Sequence, residues 1–93
     1  MVVTLKFIGA LRRDSKAIEL ILETRACTLI ELIDKLTKQL PALRPNLLDE
    51  HLNPPKTNAL ILVNGKEISV LDGLKTKVKD GDEVVFVPVV HGG

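Results

Sequence analysis

The sequence predicts an α+β domain in which a mixed sheet of four to five strands packs on one main helix, in the order β-β-α-β-β-β. Apolar residues alternate near both ends of the chain, one segment between them has helical spacing, and an Asn-Gly pair follows an apolar run. The 93-residue chain is long enough for a single domain over residues 1–93 and too short for two. Its hydrophobic content of 45% is sufficient for a buried core.

The first two predicted strands form a hairpin. Residues 2–8 alternate in polarity, and Gly9 ends the pattern. We expect a charged turn at residues 12–15 and a second strand over residues 17–23. In that strand, three apolar residues face one side and two glutamates face the other. The residues of this second pattern are Ile18, Leu20, Leu22, Glu19 and Glu23.

The main helix is predicted to begin after Thr28, because Thr28 and Glu31 have the spacing of a capping box. Its apolar residues recur at three- and four-residue steps, which is typical of a helix with one buried face. Pro41 should end the helix, since proline cannot donate the backbone hydrogen bond. The apolar positions are Leu29, Leu32, Ile33, Leu36 and Leu40.

A long connection over the surface is expected from Pro41 to Asn58, with a short helical turn within residues 45–52 that packs against the core. A second hairpin follows, in which residues 59–63 form a strand and Asn64-Gly65 forms the two-residue turn. Two further turns are predicted, at Asp72-Gly73 and at residues 80–82.

The last predicted strand, residues 83–87, is apolar on both faces, which favours a central position beside the first strand. One helix covers only one face of a sheet. If Val84 and Phe86 face the helix, Val85, Val87 and Val89 face the uncovered side. That apolar surface either binds another protein or is covered by the long connection.

Composition excludes several kinds of protein. The net charge of +1 lacks the basic excess needed for direct nucleic-acid binding, and the only aromatic residues are Phe7 and Phe86. No signal segment or membrane-spanning run is present, and the single cysteine cannot form an internal disulfide. We therefore expect a cytoplasmic protein that does not contact a membrane.

No catalytic or metal site is predicted in the chain itself. Cys27 precedes the helix, where amide dipoles can activate a thiol, but a small apolar filler is the alternative. His51 and His91 lack metal-ligand spacing with Cys27. Ser15 and Ser69 lie outside any nucleophile motif, and no phosphate-binding loop exists. The chain is therefore not expected to be an enzyme.

The chain end is the informative stretch. The five residues after Pro88 reach about 16 Å when extended, at roughly 3.3 Å each, and the final Gly92-Gly93 has no side chains to hinder insertion into another protein. A carboxylate joined to AMP is an acyl donor for a thiol, sulfide or amine. Because the chain has no nucleotide-binding loop, a partner must supply the activation. The alternative is that these glycines simply end a flexible tail.

The segment from Lys79 to Gly93, after Val63-Asn64-Gly65 and Leu74, resembles the C-terminal half of the β-grasp sulfur carriers and ubiquitin-like modifiers. That group includes the molybdopterin synthase small subunit MoaD, the thiamin sulfur carrier ThiS, the archaeal small modifiers and the ubiquitin-related modifier of tRNA thiolation. The likeness extends over the whole chain in element order. The likeness is most specific from Asp80 to Gly93. In this segment a turn, a central strand, a proline and a terminal diglycine follow one another at the spacing of the family.

The resemblance implies a ubiquitin-like β-grasp fold with a tail over about residues 89–93. The tail residues Val90, His91 and Gly92 would enter a ubiquitin-activating-type enzyme, which would use ATP to adenylate the Gly93 carboxylate. Sulfur transfer would leave a thiocarboxylate at Gly93, for molybdopterin or for tRNA thiolation. In the modifier members, the glycine is joined to lysines of target proteins. No cofactor is expected to be bound to the chain.

The resemblance also implies a further partner, either the molybdopterin synthase large subunit or a tRNA thiolation enzyme. With the first partner, the chain would be the small subunit of molybdopterin synthase. The turn residues 79–82 would have a structural role. The His91-Gly92-Gly93 ending is similar to that of the ubiquitin-related modifiers, although His91 as a solvated tail residue is the alternative. Since the sequence ends at Gly93, no processing protease is expected.

The sequence is consistent with three functions: a sulfur carrier, a covalent modifier, and a non-covalent interaction module that uses the apolar sheet face. The first two share the activation of Gly93 and differ in the nucleophile that attacks it. The third predicts that partner binding survives removal of Gly92 and Gly93.

Overall fold

The computed structural model describes residues 1–89; residues 90–93 lie outside the described part. In chain order, the helices and strands are β1 (Val2–Phe7), α1 (Leu11–Ser15), β2 (Glu19–Glu23), β3 (Cys27–Thr28), α2 (Leu29–Gln39), α3 (Arg44–Leu47), β4 (Leu48–Asp49), β5 (Lys56–Thr57), β6 (Ala59–Val63), β7 (Lys66–Glu67), β8 (Lys77–Val78) and β9 (Glu83–Pro88). Short 3₁₀ turns lie at Pro41–Leu43, Ile68–Val70 and Gly73–Lys75. None of the helices within residues 1–89 is long and apolar enough to cross a membrane.

Among the described residues, five strands form the main sheet in the order β2-β1-β9-β6-β7. β9 runs parallel to β1 and antiparallel to β6, so the prediction of a central last strand beside the first is confirmed. Phe7 and Phe86 are partners in the parallel pair, and their rings stack with centroids 5.4 Å apart. This mixed sheet on one main helix is the predicted α+β architecture.

One face of the sheet and one face of α2 form the core. The inward side chains of β1, β6 and β9 alternate with exposed or half-buried ones, as the sequence pattern predicts. The largest side chains that are fully buried here are Phe7, Phe86, Leu5, Leu29, Leu32, Ile33, Leu36, Leu43, Leu47, Ile61, Val3 and Val84.

The predicted capping box at the start of α2 is present. The Thr28 hydroxyl oxygen accepts a hydrogen bond from the Glu31 N–H (3.4 Å), and the Glu31 carboxylate accepts one from the Thr28 N–H (3.0 Å). Such a cap contributes about 1 kcal/mol to helix stability. The hydrogen bonds from the Thr28 backbone and hydroxyl lower the pKa of Glu31. The helix therefore begins where the sequence predicts.

The Asn64-Gly65 turn also forms as predicted, with φ angles of 51° and 82°. The Asn64 side chain then binds the start of β9. Its amide donates to the Asp82 carboxylate (2.8 Å), and its oxygen accepts from the Glu83 N–H (2.9 Å). This turn therefore joins β6 to β7 and also fixes the first residue of the central strand.

The charged turn predicted at residues 12–15 is wrong in detail, because the segment forms the short helix α1. Leu11 is buried at the start of α1, which draws this turn of chain onto the core. The helix ends at Lys16, whose φ of 59° is left-handed. The Ser15 hydroxyl donates to the Ala17 carbonyl (2.5 Å), which favours this reversal into β2.

The connection from residue 41 to residue 58 is more structured than a surface loop. It contains a 3₁₀ turn, α3 and the two-stranded β4-β5 pair, and the predicted packing of a helical turn against the core is observed. Leu43, Leu47 and Leu48 are buried in the same core as the helix-facing side of the sheet. Arg44 pairs with Asp34 of α2 (2.6 Å) and with Glu50 (2.5 Å), which ties the connection to the main helix.

The connection offers a direct test of its role in the core. Leu47 is fully buried, whereas Leu52 in the same connection is 43% exposed. We expect Leu47→Ala to lower the free energy of unfolding by about 2–5 kcal/mol, because it removes buried apolar volume. Leu52→Ala should change it by less than about 0.5 kcal/mol. Urea unfolding of both variants measures this, and equal effects would contradict the assignment.

Candidate functional site

The candidate site lies where the central strand β9 leaves the sheet. Pro88, its last residue, is paired with Ala59 of β6, and on the other side the Ile8 N–H donates to the Phe86 carbonyl (3.0 Å). β9 is therefore paired with β1 up to Phe86 and with β6 up to Pro88. Val89 follows and is 47% exposed. The pairing of β9 with its neighbours thus ends directly before the exposed Val89.

Gly9 lies close to Pro88, where β9 ends. The sequence alone does not indicate this role of Gly9. Its φ of +58° lies in the left-handed region, and a Cβ atom there would come within 3.3 Å of the Pro88 Cγ. Both the backbone conformation and the close approach favour glycine at this position. The contact joins two residues far apart in sequence, so no local pattern could reveal it.

A shallow depression lies beside Pro88 and Val89, and its lining is part polar and part apolar. The Asn46 side-chain amide donates to the Asp14 carboxylate (2.6 Å), which connects α1 to α3 across the floor. Arg13 lines the same depression. The chain end therefore leaves the sheet next to charged and amide groups that are carried by two short helices.

The second part of the site is the sheet face that points away from α2. Val85 and Val87 of β9 lie on this face and are half-buried, as predicted, and they are paired with Leu62 and Leu60 of β6. The buried leucines of the connection, Leu43, Leu47 and Leu48, pack on the helix side, so they do not cover this face. Of the two alternatives for the apolar surface, covering by the connection is therefore wrong.

An ion pair borders this apolar surface. Lys6 Nζ lies 3.0 Å from the Glu83 carboxylate, and both side chains are partly exposed. The hydrogen bond and charge of Glu83 hold the pKa of Lys6 above its usual value. The strand register places Lys6 next to Val85, so the apolar surface has a charged margin on the β1 side.

The other predicted site residues are placed as follows. Val90, His91, Gly92 and Gly93 lie outside the described residues, so their roles stay predictions. Cys27 is half-buried in β3. His51, Ser15 and Ser69 lie apart from one another, in the connection, at the end of α1 and in a 3₁₀ turn. Within residues 1–89, no three His, Cys, Asp or Glu side chains are grouped as metal ligands.

This fold, with a central last strand ending at the C-terminal tail, defines a β-grasp protein of the sulfur-carrier and ubiquitin-like-modifier class. The ThiS family model matches residues 5–93. The chain therefore belongs to the ThiS family, whose members are carriers that work with partner enzymes.

Individual relatives agree with this assignment. The small archaeal modifier protein 1 of Methanosarcina acetivorans is 33% identical, with 99% of this chain and 96% of that chain covered and a TM-score of 0.80. The Amycolatopsis orientalis BexX/CysO complex contains a chain that is 28% identical, with coverages of 98% and 99% and a TM-score of 0.77. A protein of Archaeoglobus fulgidus, named as a candidate sulfur carrier, is 52% identical over 33 residues, 36% of this chain. That match spans 38% of the relative's own length.

The contact between Gly9 and Pro88 can be tested with a matched pair of variants. Gly9 and Gly73 have similar φ angles of +58° and +57°, but only Gly9 has a neighbour within 4 Å of an added Cβ. Both Gly→Ala changes should destabilise the fold by about 1–2 kcal/mol. Only Gly9→Ala should also shift the amide resonances of Val87 and Val89, because it displaces Pro88. Unchanged resonances in that variant would refute a role for Gly9 in directing the chain end.

Proposed function

We propose that the chain is a sulfur carrier whose Gly93 carboxylate is adenylated by a ubiquitin-activating-type enzyme and then converted to a thiocarboxylate. The main support is the position of β9. It is paired with β1 up to Phe86 and with β6 up to Pro88, and four residues, ending in Gly92-Gly93, follow Val89. A partner can therefore engage the chain end without unfolding the sheet.

The proposed chemistry takes place in the partner's site. One carboxylate oxygen of Gly93 attacks the α-phosphorus of ATP, which forms an acyl adenylate and releases pyrophosphate. A sulfur nucleophile, sulfide or a persulfide on the partner, then attacks the Gly93 carbonyl carbon. The carbon–oxygen bond to AMP breaks, and AMP leaves with the electron pair. With a persulfide, reductive cleavage of the sulfur–sulfur bond by a thiol releases the thiocarboxylate.

The proposed sulfur acceptors are a molybdopterin precursor or tRNA. In the first case the chain acts as the small subunit of molybdopterin synthase beside a large subunit, and in the second it works with a tRNA thiolation enzyme. ATP belongs to the activating enzyme, and we propose that the carrier itself holds no cofactor.

Covalent modification is the second candidate, and the likeness to a small archaeal modifier favours it. The adenylate is the same, but a lysine amine of a target protein attacks the Gly93 carbonyl. An isopeptide bond forms, AMP leaves, and the amine loses a proton. Conjugation and sulfur transfer differ only in the nucleophile that attacks the adenylate. One chain can therefore take part in both reactions.

The decisive experiment measures the intact mass of the chain after incubation with candidate ubiquitin-activating-type enzymes, ATP and sulfide. We expect replacement of one oxygen by sulfur at the C-terminus. The control variant ends at Gly92 and therefore keeps all described residues. Adding lysine-bearing target proteins instead of sulfide should give conjugates if modification occurs. Failure to form any adenylate, thiocarboxylate or conjugate would refute both covalent functions.

The partner surface is proposed to be Val85 and Val87, with Val89 next to the chain end. We expect the double variant Val85→Thr/Val87→Thr to raise the KM of the activating enzyme for the carrier by about fivefold, because apolar contact is lost. The turnover number should not change. Threonine keeps the branched shape that suits a strand. Val70→Thr is the control, since Val70 is exposed in a 3₁₀ turn away from the sheet face.

If the non-covalent module is the correct function, the variant that ends at Gly92 should bind partners as well as the full chain does. The same threonine variants would then weaken binding without any covalent product. The two measurements together therefore distinguish this alternative from the carrier and the modifier.

A further inference from the structure

The outer edge of the main sheet at β2 is open. Among residues 1–89, β2 is paired with β1 alone and is the last strand on that side. The Thr24 N–H donates to the Met1 carbonyl (2.9 Å), and the Phe7 N–H donates to the Ile18 carbonyl (2.9 Å). In an antiparallel ladder, hydrogen-bonded positions alternate along a strand. The even-numbered residues of this segment therefore bind β1.

The odd-numbered residues of β2 consequently direct their N–H and C=O groups away from the sheet. These residues are Glu19, Ile21 and Glu23. The Lys35 Nζ donates to the Glu23 carbonyl (2.6 Å), so one of these acceptors is already occupied. The remaining outward groups form a ready template for another strand, because unpaired strand edges favour added pairing.

The side chains at this edge have a specific pattern. Glu19, Ile21 and Glu23 lie on the sheet face away from α2, and Ile21 is 62% exposed between the two carboxylates. On the opposite face, Leu20 and Leu22 are half-buried against the core. The edge thus presents an acidic–apolar–acidic row on one face and apolar side chains on the other.

The charges disfavour a second copy of this chain as the occupant. Antiparallel pairing of two β2 strands around Ile21 would place Glu19 of each copy opposite Glu23 of the other. Like charges that face each other across a strand pair destabilise it. The same row would attract a strand with basic side chains at the corresponding positions.

We propose that the β2 edge binds an extended segment of a partner protein, in which two basic side chains flank an apolar one at alternate positions. The segment adds as an antiparallel strand. Its apolar residue lies opposite Ile21, and its basic residues lie opposite Glu19 and Glu23. β1 separates β2 from β9, and neighbouring strands are about 4.8 Å apart. The segment can therefore bind while the chain end is engaged elsewhere.

The probe for this proposal is the peptide Thr-Lys-Val-Val-Val-Lys-Thr, titrated into the ¹⁵N-labelled chain. We expect amide shifts centred on Glu19, Ile21 and Glu23. A peptide with glutamates in place of both lysines should bind at least about tenfold more weakly. The variant Glu19→Lys/Glu23→Lys should reverse this preference. Equal affinity for both peptides, or no shifts at β2, would overturn the proposal.

Backbone pairing is tested separately by Ile21→Pro. The N–H of Ile21 points away from β1, so proline removes the donor used by an added strand, together with the isoleucine side chain, and is tolerated at an edge. We expect loss of peptide binding while the resonances of β9 stay unchanged. Retained binding would overturn the strand-addition geometry. Concentration-dependent shifts at β2 without peptide would show that a second copy occupies the edge, and would also overturn the proposal.

Discussion

The parallel pairing of β1 with β9 is the constraint on which the rest of the structure depends. It brings the first and last strands of the described chain together in the middle of the sheet, where Phe7 and Phe86 stack over α2. A parallel pair needs a long crossover connection, and here the crossover contains α2 and the segment that follows it. The pairing also determines where the chain end leaves the molecule, because β9 cannot slide without moving its inward side chains to the wrong face.

The same strand connects the folded domain to the chain end, where the proposed reaction takes place. The inward residues of β9 stabilise the core, while its outward valines form an apolar surface beside the exit point. Alternate residues of one strand thus serve the core and the proposed partner surface. The proposed reacting atom is the carboxyl carbon of Gly93, four residues beyond Val89. The body therefore has no need of an active site of its own to fulfil the proposed role.

Much of this architecture could be predicted from the sequence, because the signals are local and strong. The capping box at Thr28, the Asn64-Gly65 turn and the two-sided apolar pattern of β9 each depend on neighbouring residues, and each is observed. Other short elements could not be predicted. α1 forms because Leu11 is buried, and the β4-β5 pair forms within a proline-rich segment without periodicity. The open edge at β2 depends on strand order, which the alternation of a single strand does not reveal.

The parallel arrangement of β1 and β9 also has a mechanical consequence. Tension applied between Met1 and residue 89 would pull these adjacent strands in opposite directions along their common axis. Their interstrand hydrogen bonds would then resist together, in shear, instead of opening one at a time like a zipper. An unfolding machine that pulled on Met1 and residue 89 would therefore meet its greatest mechanical resistance at the β1–β9 pair, in the centre of the sheet.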